Sequence, residues 1–224
     1  MLDSVAAAPL GVAQEVNFKY ELIIFKSMNK KSIIWIAVLG VLTIAIIWGV
    51  GRYNAIITAE ENVNTAWSQV ENQYQRRADL IPNLVETVKG YAAHESETLE
   101  DVVTARAKAT QVVVDPTNAT AEQLAAFQAA QGELTQALGR LMALSENYPD
   151  LKANENFKDL QNNLQRLEEE IANSRKYYNG TVNLYNTKRE TFPSNIIAKW
   201  FKFTKKPLYE VDDAEERKNV KVSF

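Results

Sequence analysis

From Tyr53 onward, apolar side chains return in alternating steps of three and four residues. One row reads Glu60, Trp67, Tyr74, Ile81 and Val88; the other reads Val63, Val70, Arg77, Leu84 and Tyr91. A repeat of this kind keeps one stripe of a helix turned toward a partner. It predicts a helix from about Tyr53 to Ala92. Pro82 falls inside it, and its missing N–H and bulky ring predict a bend or a break there. Leu99, Val102, Val103, Arg106, Ala109 and Val113 outline a shorter second helix. A third carries Leu124, Phe127, Leu134, Leu138, Leu141 and Tyr148. A fourth carries Phe157, Leu160, Leu164, Leu167, Ile171, Ser174, Tyr178, Thr181 and Tyr185.

The punctuation between these stripes is specific. Asp115 and Pro116 end the second helix and can begin the third, with Asp as cap and Pro in the first turn. Thr120 and Gln123 fit a capping box one turn later, so two starts are open. "NYPDLKAN" stops the third helix, and Asn154 is placed to cap the fourth. Four amphipathic helices with short links bury their stripes most simply as an all-α, antiparallel helical bundle. One extended coiled coil is the alternative, and the proline turns count against it.

Ahead of the bundle the pattern changes. Ile33 to Val50 is an uncharged apolar run of about 18 residues, close to the lower length that crosses a hydrocarbon core. Trp35 and Trp48 stand near its two ends, as interfacial aromatic rings do. A cleaved signal peptide would be shorter and would end in a small-x-small site, which "GVGRYNAII" lacks. A buried soluble helix is the remaining reading. The expectation is an uncleaved transmembrane helix. Lys19, Lys26, Lys30 and Lys31 precede the run and only Arg52 closely follows it. That asymmetry predicts a cytoplasmic N-terminus, with the globular part outside the cytoplasm. Before Met28 there is neither period nor cap, whereas "MNKKSIIWIAV" reads as an ordinary start to a signal anchor. Met28 therefore competes with Met1 as the first residue. The expected layout is a tail over 1–32, a transmembrane helix over 33–51, a bundle over 52–192 and a C-terminal segment over 193–224.

Composition narrows the possible chemistry. The net charge of −3 argues against nucleic acid as a partner, because phosphate binding needs a basic face. With no cysteine there is no thiolate ligand or cysteine nucleophile, and the redox compartment stays open. The single histidine, His94, cannot supply the two Glu-x-x-His pairs of a ferritin-like two-metal site, nor a His-Glu-x-x-His zinc site. A Ser-His-Asp triad would have to use His94 without a nucleophile elbow. His94 reads as a surface or capping residue, and no cofactor is expected.

Four stretches together resemble the LemA family of bacterial membrane proteins: "YNAIITAEENVNTAWSQVENQYQRRADLIPNLVETVKGYAAHE", "ALGRLMALSENYPDLKANENFKDLQ", "YYNGTVNLYNT" and "FPSNIIAKWFKF". The resemblance implies an N-terminal membrane helix and a helical bundle. It carries over no catalytic residue and no molecular function. Family descriptions place the short N-terminus outside, opposite to the orientation read from the lysines.

Two polar or mixed features remain. Arg77 stands in the apolar seam with Arg76 and Asp79 beside it. The expectation is structural: a guanidinium fork pairs with a carboxylate on a facing helix and sets register. The alternatives are a recognition surface made of Arg76, Arg77, Asp79 and the bend at Pro82, or an exposed arginine with no special role. Glu60 and Gln131 are further polar seam positions, and Glu168 to Glu170 read as a solvated charge run. Near the C-terminus, "FPSNIIAKWFKFTKK" forms a short helix with Ile196, Ile197, Trp200 and Phe201 on one side. Lys199, Lys202, Lys205 and Lys206 flank or follow it. This suits either a membrane interface or a cap on the open end of the bundle core. The expected function is a membrane-anchored interaction or scaffolding protein, not an enzyme. Its expected partners are the bilayer, through the anchor, and an unidentified protein or a second copy. The alternative is an enzyme or ligand receptor with an unrecognised site in the bundle.

Overall fold

Both heptad rows of the first helix turn inward. In the computed structural model, which describes residues 29–209, Val63, Trp67, Val70, Tyr74, Arg77, Ile81, Leu84 and Val88 are all buried. Tyr91, the last of the row, is exposed in the turn that follows. The competing starts at Met1 and Met28, and the polar tail after Tyr209, lie outside the described residues. The helices are α1 (Lys30–Lys89), α2 (Ser96–Gln111), α3 (Ala121–Leu144), α4 (Pro149–Ala153), α5 (Glu155–Glu190) and α6 (Ser194–Trp200). No strand occurs among the described residues. The chain divides into two compact units between Gly51 and Arg52.

The first unit holds the apolar run. None of that span is buried inside the protein, and Ile34, Trp35, Leu39, Ile44 and Ile47 are all exposed. A helix apolar on every side, with its backbone groups satisfied internally, is the form a single chain takes in hydrocarbon.

In the second unit the strand-free chain folds up, down, up and down. Asp101 pairs with Arg140 and Lys108 with Glu133, so residue numbers fall on α3 as they rise on α2. Lys188 Nζ donates to the Ala55 carbonyl while Arg76 pairs with Glu170, which sets α5 antiparallel to α1. The Thr120 start of α3 is the one used: Gln123 N–H donates to Thr120 Oγ1, and Thr120 N–H to Gln123 Oε1. Asp115 instead accepts from the Thr117 N–H in the preceding turn, which holds its carboxyl below the usual range. Asn154 caps α5 through the Phe157 N–H. α6 ends in a Schellman turn: Phe203 N–H reaches the Ala198 carbonyl and Lys202 sits at φ 58°.

The break that Pro82 could have caused does not occur. α1 runs through it unbroken. A proline strands the carbonyl four residues earlier, here that of Ala78. Arg106 on α2 fills that gap, donating from Nε to the Ala78 oxygen at 2.7 Å. The prolyl ring itself faces solvent. A neighbouring helix thus supplies the donor that the proline removes.

Candidate functional site: a buried arginine layer

Two apolar clusters fill the bundle. One includes Trp67, Tyr74, Phe127, Ile171 and Tyr178; the other includes Ile81, Leu84, Leu134, Leu141 and Leu164. On each long helix the boundary between them falls near a polar group. On α1 it is Arg77, between Tyr74 and Ile81. On α3 it is Gln131, between Phe127 and Leu134. On α5 it is Glu168, between Leu164 and Ile171.

These groups converge on one guanidinium. Arg77 is 0% exposed. Its Nη1 donates to Glu168 Oε1 at 2.7 Å and to Thr135 Oγ1 at 3.0 Å. Its Nη2 donates to Gln131 Oε1 at 2.6 Å and to the Gln131 carbonyl at 3.3 Å. Gln131 passes the link on, donating from Nε2 to the Ala109 carbonyl of α2 at 3.2 Å. One side chain on α1 thus reaches α3 and α5 directly and α2 through Gln131. The guanidinium also lies over the Tyr74 ring, 5.0 Å from its centroid. The Tyr74 hydroxyl accepts from Arg175 Nε at 2.8 Å and shares a 2.7 Å hydrogen bond with the Tyr209 hydroxyl. Arg175 stacks over the Tyr209 ring. The layer therefore also holds the end of the described chain.

An arginine fits here for a physical reason. Its planar fork presents several donors at fixed angles, which a lysine cannot match. Its carboxylate partner is not buried, however: the Glu168 side chain is 44% exposed. The pair is a buried cation reaching a carboxylate that water still solvates. Glu168 and Glu170 are thus engaged by Arg77 and Arg76, and only Glu169 of the charge run is a freely solvated face.

A second buried cation was not legible from the sequence. Lys206 is 2% exposed, and its Nζ lies 2.8 Å from Glu60 Oε1. The same Nζ donates to the Thr117 carbonyl and, at 3.3 Å, to that of Pro116. Lys206 is carried by an extended strap that follows α6. Asn186 grips the strap from both sides of its backbone, donating to the Lys206 carbonyl and accepting from the Lys206 N–H. Asn179 does the same through the Tyr209 N–H and carbonyl. Tyr185 and Tyr178 donate to the carbonyls of Thr204 and Pro207. Burial pushes both phenols up to about 12. A groove of about 660 Å³ opens beside the strap, lined by Asn118, Thr120, Asn183, Thr187, Glu190 and Leu208 among others.

The remaining candidate residues are dispersed. Arg76 is exposed and pairs with Glu170. Asp79 is exposed and accepts from Gln75. Because Arg77 points into the core, Arg76, Arg77, Asp79 and Pro82 do not share one surface. Lys206 does not flank a membrane face but is paired inside the bundle. Ile197 is partly buried against the core, and buried Ala198 follows it. Ile196, Trp200 and Phe201 stay exposed. His94 is exposed in the turn between α1 and α2.

The chain is 29% identical to magnetosome protein MamQ 1 of Paramagnetospirillum magneticum, over 66% of this chain and 60% of that protein. It is likewise 29% identical to magnetosome protein MamQ of Magnetospirillum gryphiswaldense, with the same coverage. It thus spans about 60% of the length of these magnetosome relatives. Protein LemA of Metamycoplasma hominis is 25% identical over 78% of this chain and 77% of its own length. The LemA family profile matches residues 66–224, which takes in the whole arginine layer and the strap, and the chain is a membrane-associated member of the LemA family.

Proposed function

We propose that this protein is a membrane-anchored scaffold whose rigid helical bundle binds another protein or a second copy of itself and performs no chemistry of its own. The observation that carries the reading is the use made of Arg77. Its terminal nitrogens are committed to Glu168, Thr135 and Gln131, so this buried cation is spent on joining helices. A bundle fixed this way holds its surface in one shape, which lowers the entropy cost of binding a partner. The naming of relatives after a cellular structure, the magnetosome, and not after a reaction supports the same reading.

The bundle is expected outside the cytoplasm, following the lysines ahead of the anchor. Affinity capture of the full chain from native membranes after mild cross-linking tests the scaffold role. The expected result is one protein, or this chain itself, in fixed stoichiometry. Recovery of monomer alone from native membranes contradicts it. For orientation, exposed Asn147 replaced as Asn147→Cys should react with an impermeant thiol reagent without inner-membrane lysis. Reaction only after lysis reverses the orientation.

A further inference from the structure

Among the described residues of the bundle, exposed large apolar side chains gather most densely between positions 192 and 201. Phe192, Ile196, Trp200 and Phe201 are all exposed, Trp200 at 79% and Phe192 at 75%. Ile196 and Trp200 stand about one turn apart on α6, and exposed large apolar side chains spaced this closely are of the kind that soluble surfaces seldom leave uncovered. Two exposed cations, Lys199 and Lys202, stand among them, and Lys205 follows.

The place of this patch in the chain identifies what covers it. Tyr53 lies two residues beyond Gly51, at the end of the uncharged run. Its ring packs on Phe201, with centroids 4.6 Å apart, and on Phe203 at 5.8 Å. Lys188 is tied to the Ala55 carbonyl, and Arg189 donates to the Phe203 carbonyl at 2.8 Å. The end of α5, α6 and the start of the strap are thus fastened to the first turn of α1 outside the apolar run. That turn follows the apolar run directly in sequence, with Tyr53 only three residues beyond Val50.

We propose that α6 is a second membrane contact. Phe192, Ile196, Trp200 and Phe201 insert into the interface of the bilayer crossed by the protein's own anchor, and Lys199 and Lys202 meet anionic lipid headgroups. Trp and Phe beside lysines match the composition of segments that lie in an interface plane. Each basic side chain near an anionic leaflet adds to the attraction, and salt weakens it. The earlier alternative, a cap on the core, is filled by Ile197 and Ala198, which leaves the other apolar side chains for lipid. The inference rests on the membrane-anchored reading, and its test separates the two.

The chain contains no cysteine, so single nitroxide labels can be placed without background. Full-length Ile196→Cys, Trp200→Cys, Leu184→Cys and Ile44→Cys proteins are labelled and reconstituted into phosphatidylcholine bilayers with or without phosphatidylglycerol. Accessibility to lipid-soluble oxygen is compared with accessibility to an aqueous nickel chelate. The expected oxygen-to-nickel ratio at 196 and 200 lies well above that at 184 and approaches that at 44. It should fall when phosphatidylglycerol is left out, when salt is raised, or when Lys199→Glu and Lys202→Glu are combined. Ratios at 196 and 200 equal to that at 184, with 44 still in lipid, overturn the docking and leave the anchor intact. Low access to both reagents at 196 and 200 shows cover by protein and also overturns it. An aqueous label at 44 removes the anchor itself.

Discussion

Among the described residues the bundle buries two cations, Arg77 and Lys206, and holds them in different ways. Arg77 sits mid-helix between two apolar clusters and touches side chains on α3 and α5. Lys206 sits on an extended strap and reaches Glu60, whose side chain is 18% exposed, and two loop carbonyls. Losing the arginine's partner strands a charge that the surrounding helices cannot move away from. Losing the lysine's partner strands a charge that can leave with its strap. Burial alone therefore does not set how much stability depends on a cation; the freedom of the backbone carrying it does.

The largest effect is expected from Glu168→Ala. It leaves a guanidinium at 0% exposure without its counter-charge, and because Glu168 is itself half-exposed the loss should lie toward the lower end of the about 3–5 kcal/mol of a fully buried pair. Arg77→Met should cost less, because the released Glu168 carboxylate is 44% exposed and regains water. Its main penalty is the orphaned Gln131 side chain, about 1–3 kcal/mol. Heat unfolding in detergent, followed by circular dichroism, ranks the two. The reverse order would mean that the carboxylate, not the cation, is the costly buried charge.

Glu60→Gln is expected to act locally. Hydrogen exchange should lose protection in residues 203–209, while the cooperative transition of α1, α3 and α5 shifts little. A large fall in the whole transition would make Lys206 equivalent to Arg77 and erase the contrast. The same strap should respond to alkali. Tyr178 and Tyr185 have ordinary phenol values when unfolded and about 12 when folded, so both states keep the proton below pH 10. Between pH 10 and about 12 the unfolded chain loses it first, and stability falls as pH rises. Ionised phenols can no longer donate to the Thr204 and Pro207 carbonyls. Tyr178→Phe combined with Tyr185→Phe should flatten that part of the pH profile.

A comparable substitution concerns Pro82. Arg106→Met leaves the Ala78 carbonyl unpaired and should cost about 1–3 kcal/mol. In a Pro82→Ala background the residue-82 N–H can meet that oxygen, and the cost should shrink. Equal costs in both backgrounds would show that Arg106 serves another purpose. Smallest of all, Thr120→Ala removes the cap of α3 and should cost about 1 kcal/mol, spread evenly and without effect on either cation.

Sequence pattern reached some of these features and not others, for a consistent reason. Arg77 could be found because a heptad assigns every seventh residue to the core whatever its type. Asn154 and Thr120 could be found because caps act within three residues. Gln131 stood out as a polar seam position, but its pairing with Arg77 could not be read, since α3 and α5 lie more than fifty positions away and no local rule selects Glu168 over Glu169. Lys206 escaped because the strap has no period, so the lysine read as solvated or lipid-facing. Pro82 does announce that the Ala78 carbonyl needs a donor. Only the packing of α2 names Arg106. Sequence alone groups Ile197 with its exposed neighbours, because seven residues of helix are too few to fix which side meets the core.

The central claim is that Arg77 is a structural junction whose charge is tolerated only with its partners in place. The most direct measurement is a double-mutant cycle of Arg77→Met and Glu168→Ala, with unfolding free energies read by denaturant titration in detergent. The double variant should be more stable than Glu168→Ala alone, because removing the stranded cation relieves what removing the carboxylate created. Additive losses, with the double variant the least stable of the set, would contradict it.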